Sequence, residues 1–283
     1  MNPPEAQAAT VPETIIQPPE RWLSTFKLGE LWEHRELIYF LTKRELQVRY
    51  KQSVFGIAWA VLQPLLLAFV FALFFGLLVH VPSDGIIYPV FVVGGLVPWL
   101  FIGQAVTNSA VGLVSDANLI SKVYFPRLAI PVAKALSLLL DLAIALVVLL
   151  VVMAVYGVAV SHLAYLLPFF LALCVVTSFA LGSLFAALNV KYRDITLIVP
   201  TLMQVLLFAT PVVYPATVVP GDWKYLYAIN PMVTVITGIR WCLMGGVKPL
   251  TGMILISVAS ALVLLVAALL YFRRSEPYFA DYI

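Results

Sequence analysis

The sequence predicts an all-α fold that crosses a membrane several times, and two patterns carry this prediction. Hydrophobic residues make up 63% of the chain and charged residues only 11%. A domain of this size with this composition would not remain dissolved in water. Lys and Arg also concentrate in alternate connections between the apolar segments. Because cytoplasmic loops hold the excess of positive charge, this alternation predicts an even number of spans with both termini in the cytoplasm.

Six apolar segments each come close to the length of about 20 residues that a transmembrane helix needs. They lie near residues 54–79, 86–107, 131–156, 163–188, 195–213 and 250–272. Basic residues crowd the region before the first segment and recur after the second, fourth and sixth. Residues 1–20 lack the apolar core of a cleavable signal peptide, so we expect the first span to direct insertion.

The region before the first span divides into a tail and a helix. Residues 1–27 are rich in proline and have little to bury, which predicts a disordered cytoplasmic tail. Residues 28–52 are predicted to form an amphipathic helix at the cytoplasmic interface, with a soluble helix packed elsewhere on the chain as the alternative. Its apolar arc comprises Leu28, Leu31, Trp32, Ile38, Tyr39, Leu46 and Tyr50. Arg35, Thr42 and Arg49 interrupt the arc, but a long arginine side chain can carry its charge to the aqueous side.

A short amphipathic helix is predicted between the second and third spans, within residues 115–127. Ser115 is placed to cap its start and Pro126 to end it. Its apolar side would consist of Leu119, Ile120, Val123 and Tyr124. A helix of this kind fits a groove on a partner protein, and a solvated connector is the alternative.

The segment 214–246 is apolar but too interrupted to cross a bilayer. Pro220-Gly221, Asn230-Pro231 and Gly245-Gly246 break it. These breaks predict two half-membrane helices that enter and return, because irregular backbone at membrane depth is tolerated only beside protein or a water-filled cavity. A loop lying flat on the outer surface is the alternative.

Several classes of chemistry are not indicated. The sequence has no GxxxxGK[ST] motif, so this chain is not expected to bind ATP through a P-loop. Cys174 and Cys242 have no ligand-type neighbours and predict neither a metal site nor a disulfide. The net charge of +3 follows from the topology and does not indicate a nucleic-acid partner. Asp141, two turns from Lys134 on the predicted third span, is a candidate intramembrane charge, or else a helix–helix hydrogen bond.

A series of different short motifs lies along almost the whole chain from about residue 30. They are Arg44-Glu45-Leu46, Arg49-Tyr50, Gly56-Ile57-Ala58-Trp59, Gln63-Pro64, Asn118-Leu119-Ile120-Ser121-Lys122, Phe125-Pro126-Arg127, Tyr192-Arg193-Asp194-Ile195, Thr210-Pro211-Val212-Val213-Tyr214-Pro215, Asn230-Pro231 and Glu276-Pro277-Tyr278-Phe279-Ala280-Asp281. Together they resemble the ABC-2 type permeases that export polysaccharides such as O-antigen, capsule or teichoic acid.

The resemblance implies a fold, partners and a substrate. Residues 53–283 would form an ABC-2 type transmembrane domain in the bacterial inner membrane, surrounded by membrane lipids. Two copies would form a homodimer that carries two ABC ATPase subunits, and those partners would bind ATP and Mg, with no cofactor in this chain. The substrate would be a lipid-linked polysaccharide, and the chain itself would not be an enzyme.

The resemblance also assigns residues to roles. The residues that would couple to the ATPase are Asn118, Leu119, Ile120, Lys122, Tyr124, Phe125 and Arg127. The re-entrant segment 214–246 would form an external gate, with Pro211, Pro215, Asn230 and Pro231 at its breaks. Aromatic residues that could line the path of the glycan are Trp59, Phe69, Trp99, Phe208 and Tyr214.

Three further hypotheses remain open at the sequence level. Arg35, Arg44 and Arg49 could attract the pyrophosphate of the lipid carrier, or act only as determinants of topology. A stand-alone channel or proton-coupled carrier that uses Asp141 is the alternative function. A membrane glycosyltransferase ranks last, because the sequence has neither a metal-binding carboxylate motif nor a large soluble loop.

Overall fold

The computed structural model is all-helical over the residues that it describes, which are 28–51, 56, 58–120, 122 and 125–279. No strand occurs within these ranges. The all-α prediction is therefore confirmed for the described part of the chain. The predicted tail 1–27 lies outside it, and so does Tyr124 of the predicted short helix.

The helices are named in chain order. They are α1 (Leu28–Glu33), α2 (Arg35–Lys51), α3 (Ala58–Phe71), α4 (Tyr88–Ser115), α5 (Ala117–Ile120), α6 (Ala129–Ser137), α7 (Leu139–Val155), α8 (Leu167–Lys191), α9 (Ile195–Phe208), α10 (Trp223–Tyr227), α11 (Pro231–Met244) and α12 (Thr251–Ser275). A π-helix, Ala72–Leu78, continues α3. Short 3₁₀ turns precede α8 (His162–Leu166) and follow α12 (Glu276–Tyr278).

Five helical stretches within the described ranges are long and apolar enough to cross a membrane, where the sequence predicted six. They are Ala58–Leu78, Tyr88–Ser115, Ala129–Val155, His162–Lys191 and Thr251–Tyr278. The fifth predicted span, 195–213, contains only the 14-residue α9. At 1.5 Å per residue α9 is about 21 Å long, less than the hydrocarbon core of about 30 Å. The helix ends early because Pro211 follows Thr210, and a residue before proline avoids the helical conformation.

The chain alternates between two ends of the bundle. We name them the α2 end, where α2 lies, and the opposite end, where residues 79–87 connect α3 to α4. Helix α3 leads away from α2, α4 returns, α6 and α7 lead away again, and α8 returns to the α2 end. Helix α4 lies at the centre and is buried along most of its length. Small residues permit its close packing: a Cβ on Gly182 of α8 would lie 2.8 Å from the Ser109 Cβ of α4.

The 214–246 segment begins and ends at the opposite end of the bundle. Near its start, Thr217 donates a hydrogen bond to Asp84 (2.7 Å) in the connection between α3 and α4. Midway it reaches Ser257, about two turns inside α12, whose hydroxyl donates to the carbonyl of Ala228 (2.7 Å). Gly246 then packs against Ile86, back at the opposite end. The segment holds α11 and the five-residue α10 in place of two half-membrane helices.

Two local predictions at the α2 end are wrong. Ser115 does not cap a new helix; it is the last residue of α4, and its hydroxyl donates backwards to the carbonyl of Gly112 (3.0 Å). The helix that follows, α5, has only four residues.

The predicted apolar arc of residues 28–52 also divides into two faces. Leu31 and Ile38 pack inward, whereas Trp32 and Tyr39 are 74% and 62% exposed. The helix breaks at His34, between α1 and α2, so one continuous arc cannot persist across the break.

Candidate functional site

An ion-pair network at the α2 end joins α2 to the end of α4 and to α6. Arg44 pairs with Asp116 at 2.5 Å and with Glu45 at 3.2 Å. Glu45 in turn accepts a hydrogen bond from Lys134 at 2.8 Å, and Lys134 lies 3.9 Å from Asp116. Two acids and two bases on three helices thus neutralise one another, which fixes α2 against the bundle.

The network changes the protonation equilibria of its members. Burial alone would raise the pKa of Glu45, but the hydrogen bond and charge of Lys134, together with Arg44, leave that pKa below its ordinary value. Burial alone would lower the pKa of Arg44, but the hydrogen bond and charge of Asp116, together with Glu45, leave that pKa raised. Both pKa shifts favour the charged forms of Glu45 and Arg44.

Asp141 is bound by Arg49 of α2, with Arg49 Nη1 donating to Asp141 Oδ2. The sequence placed Lys134 and Asp141 on one face of a single helix, but the helix is interrupted at Leu138 between α6 and α7. Lys134 instead bonds Glu45. Pattern analysis missed the Arg49–Asp141 pair because 92 residues separate its members.

A half-open cleft of about 100 Å³ lies beside this pair, between the end of α2, the start of α3, the middle of α4 and the first turn of α7. Its polar lining includes Gln63 and Gln104, with Gln104 Nε2 donating to Gln63 Oε1 at 3.1 Å. Trp59, which is 51% exposed, lies on its wall. The cleft therefore combines amide, charged and aromatic groups.

The described residues that were predicted to couple to an ATPase lie in two kinds of environment. Asn118 and Lys122 are exposed, and Leu119 is half-buried. Ile120 and Phe125 are buried in the cluster of apolar residues at the α2 end. Only the exposed members present surface to a second protein.

Arg127 faces the C-terminal part of the chain. Its guanidinium donates to the main-chain carbonyl of Glu276 and lies 5.9 Å from the centroid of the Phe279 ring. Its backbone N–H donates to Glu276 Oε1 at 3.3 Å. The connection between α4 and α6 is therefore held to the turn that follows α12, through Glu276, which the sequence singled out only as part of the C-terminal motif.

The three arginines proposed to attract a pyrophosphate have different surroundings. Arg35 is exposed and donates to the Trp32 carbonyl at 3.5 Å. Arg44 and Arg49 are both held in ion pairs with carboxylates of the bundle. An anion that approached either of these two would meet a charge that is already neutralised.

The predicted path-lining aromatics also differ in position. Phe69 is 68% exposed and Phe208 is 57% exposed, so both lie on the outer surface of the single chain. Tyr214 is half-buried and donates to the Phe208 carbonyl at 2.9 Å. Trp99 is 5% exposed and packs in the core of the bundle, so it presents no surface to a path outside it.

At the opposite end, side chains of other helices hold three consecutive carbonyls after α9. Arg240 Nη1 donates to Pro211 O at 2.6 Å and Nη2 to Val212 O at 2.5 Å, while the Tyr88 hydroxyl donates to Val213 O at 2.8 Å. Arg240 is 4% exposed, and its guanidinium lies 3.5 Å from the centroid of the Phe91 ring. Arg240 was not among the predicted site residues. The sequence signal for it is a lone arginine within an otherwise apolar helix.

The predicted external-gate residues surround this junction. Pro211, Pro215 and Pro231 are buried. Asn230 caps α11 by accepting a hydrogen bond from Met232 N at 3.1 Å, and its amide donates to Thr210 Oγ1 at 3.0 Å. These contacts tie the start of α11 to the unwound residues that follow α9.

The helical bundle defines a multi-pass membrane protein, and comparison with known proteins assigns its class. The ABC-2 type transporter family matches residues 36–244, most of the chain. The chain therefore belongs to the ABC-2 type transporter family, whose members are membrane subunits of transporters. The resemblance inferred from the short motifs is confirmed.

Similar proteins carry more specific names. The chain is 30% identical over 256 residues to the O-antigen export system permease protein RfbA of Myxococcus xanthus, covering 89% of this chain and 97% of that protein. It is 30% identical over 224 residues to the protein of the same name from Klebsiella pneumoniae, with coverages of 78% and 84%. The polysialic acid transport protein KpsM of Escherichia coli is 28% identical over 209 residues, with coverages of 72% and 79%.

Proposed function

We propose that this chain is the permease subunit of an ATP-driven exporter that moves a lipid-linked polysaccharide, such as O-antigen, across the bacterial inner membrane. The observation that carries the proposal is the similarity to an O-antigen export permease over 97% of that relative's length. ATP and Mg would bind to a separate ATPase subunit, and two copies of each subunit would assemble. Both termini would lie in the cytoplasm, which makes the α2 end the cytoplasmic end.

The ion-pair network supports a route for mechanical coupling. An ATPase bound at the α2 end would contact α1, α2 and the connection that contains Lys122. Because Arg44 and Glu45 join α2 to Asp116 and Lys134, a movement of α2 would be transmitted to α4 and α6 rather than absorbed by the helix alone. The Arg127–Glu276 contacts would transmit the same movement to α12.

Exposed apolar surface supports the association of two copies. Helix α3 and its π-helical continuation leave one face uncovered by the rest of the chain. The large exposed side chains on it are Trp59, Leu62, Leu66, Phe69, Val70, Leu73, Phe74, Leu77 and Leu78. Part of this face would contact lipid and part a second copy, with the path for the glycan between the two copies.

The proposal is tested by recovering the full-length chain from native membranes in mild detergent and identifying the proteins that co-purify. A subunit with a P-loop in equal amount is the expected result. Lys122→Glu, an exposed charge reversal at the α2 end, should reduce its recovery, whereas Lys248→Glu, an exposed charge reversal at the opposite end, should not. Recovery of this chain alone, with transport intact after reconstitution, would contradict the proposal.

The alternative function, a proton-coupled carrier that uses Asp141, is separated by Asp141→Asn. A carrier would lose transport, because the substituted amide cannot titrate. An ATP-driven exporter should retain most of its export, because the amide can still accept a hydrogen bond from Arg49 and bond to a ligand in the cleft. Export is measured as the appearance of glycan on the surface of cells that lack the chromosomal gene and carry the variant.

A further inference from the structure

Polar side chains line the cleft beside Arg49 and Asp141. Asp141 Oδ1 and the Tyr50 hydroxyl are buried, and neither has a hydrogen-bond partner among the described residues. Neither atom is open to a water-sized molecule, so a guest in the cleft would meet the rest of the Asp141 side chain, which is 18% exposed, rather than these two atoms. The Gln63–Gln104 pair uses one amide donor and one amide acceptor, which leaves further donors and an acceptor on the same wall.

The charge of the cleft restricts the chemistry of that guest. Arg49 and Asp141 are the charged side chains among the described residues of the lining, and they form an ion pair with each other. A diphosphate would have to separate this pair and then lie against the carboxylate of Asp141. A neutral molecule that both donates and accepts hydrogen bonds fits without that cost.

The remaining lining is apolar and aromatic. Leu100, Leu142 and Ala145 contribute aliphatic surface, and the indole of Trp59 contributes a planar wall. The electron-rich face of an aromatic ring attracts the polarised C–H groups on the face of a sugar ring. A volume of about 100 Å³ accommodates several water molecules, or the hydroxyl-bearing edge of one pyranose with the rest projecting from the open side.

We propose that this cleft is a subsite that binds one neutral sugar residue, with its hydroxyls on Asp141 and the two glutamines and its ring against Trp59. That this sugar residue belongs to the exported glycan rests on the proposed function. The sugar, rather than the lipid diphosphate, is the group recognised there, and the Arg49–Asp141 pair serves as a neutral hydrogen-bonding edge.

The test uses the full-length chain labelled with 5-fluorotryptophan in lipid nanodiscs and observed by ¹⁹F NMR. The Trp59 resonance is assigned from Trp59→Phe. The probes are the methyl glycosides of glucose, galactose, mannose, rhamnose and N-acetylglucosamine, with inorganic pyrophosphate as the anionic probe. We expect at least one glycoside to shift the Trp59 resonance in a saturable way, and pyrophosphate to leave it unchanged.

Two variants make the result specific. Gln104→Leu removes an amide from the cleft and should weaken the glycoside titration at least tenfold. Gln204→Leu, on the exposed face of α9, should leave it unchanged. The Trp223 resonance, at the opposite end of the bundle, should not respond in either protein.

Three outcomes would overturn the inference. The first is that the Trp59 resonance responds to no glycoside, which means that the cleft holds water only. The other two are a saturable shift of that resonance by pyrophosphate and equal glycoside affinity in the wild-type chain and the Gln104→Leu variant. The titration needs neither an ATPase nor transport. A chain that binds no glycoside but exports glycan would refute the subsite alone. A chain that binds a glycoside but co-purifies with no ATPase would refute the proposed function alone.

Discussion

The contact between α4 and the unwound residues after α9 depends on Gly95, which makes Gly95→Ala a sharp perturbation. A Cβ at this position would lie 2.5 Å from Arg240 Nη2, 2.7 Å from Val212 O and 3.1 Å from Val212 Cα. Ordinary contacts between carbon atoms are about 3.5–4.0 Å. The guanidinium of Arg240 cannot move away alone, because it holds the backbone of Val212, so both groups must move together.

The expected magnitude follows from three contributions. Overpacking costs about 1–3 kcal/mol, and weakening a hydrogen bond from a charged donor costs about 1.5–3 kcal/mol. Replacing Gly by Ala within a helix gains about 1 kcal/mol. The net loss is therefore about 1.5–5 kcal/mol. At about 2–4 °C per kcal/mol, the apparent unfolding temperature should fall by roughly 3–20 °C.

Gly103→Ala is the matched control, because Gly103 lies on the same helix and an added Cβ would meet nothing within 4 Å. Its apparent unfolding temperature should stay the same or rise slightly. The assay heats the full-length chain in detergent and measures the remaining monodisperse fraction by size-exclusion chromatography with tryptophan fluorescence. If Gly95→Ala unfolded at the same temperature as Gly103→Ala, the argument from close packing would be refuted.

Three further perturbations have defined outcomes. Gly238→Ala should destabilise the fold by about 1–3 kcal/mol in the same thermal assay, because its Cβ would lie 2.1 Å from the Phe170 ring; a wild-type transition would contradict this packing. Asn230→Ala should cost about 0.5–2 kcal/mol through loss of the α11 cap and the bond to Thr210, and an unchanged transition would show that the cap contributes nothing. Glu45→Gln should flatten the acid limb of the stability profile. The pKa of Glu45 is lowered in the folded chain, so its contribution is complete above the unfolded pKa of about 4.3 and is lost as the pH falls through the lower folded value. Identical pH profiles for wild type and Glu45→Gln would contradict that linkage.

Hydropathy and periodicity predicted the parts of the fold that depend on local composition. The all-α class and the stretches corresponding to α3, α4, α6–α7, α8 and α12 follow from runs of apolar residues, because a backbone in lipid must satisfy its own hydrogen bonds. The predicted breaks at Asn230-Pro231 and Gly245-Gly246 also coincide with the start and the end of α11.

The errors arose where a helix end or face depends on contacts that are distant in sequence. The span at 195–213 was predicted too long because its hydropathy continues past Phe208, whereas the backbone unwinds before Pro211 and is then fastened by Arg240. The apolar arc of α1 and α2 was predicted as one surface, but packing against α6 buries only part of it.

The sequence by itself therefore determined that this is a multi-pass helical membrane protein, and its ordered motifs indicated the ABC-2 type transporter family. Only the tertiary structure decided which charges meet. Arg49 binds Asp141 rather than remaining available to a ligand, and Lys134 binds Glu45 rather than Asp141. The physical reason is that hydropathy acts along the chain, residue by residue, whereas an ion pair forms only after packing has brought two helices together.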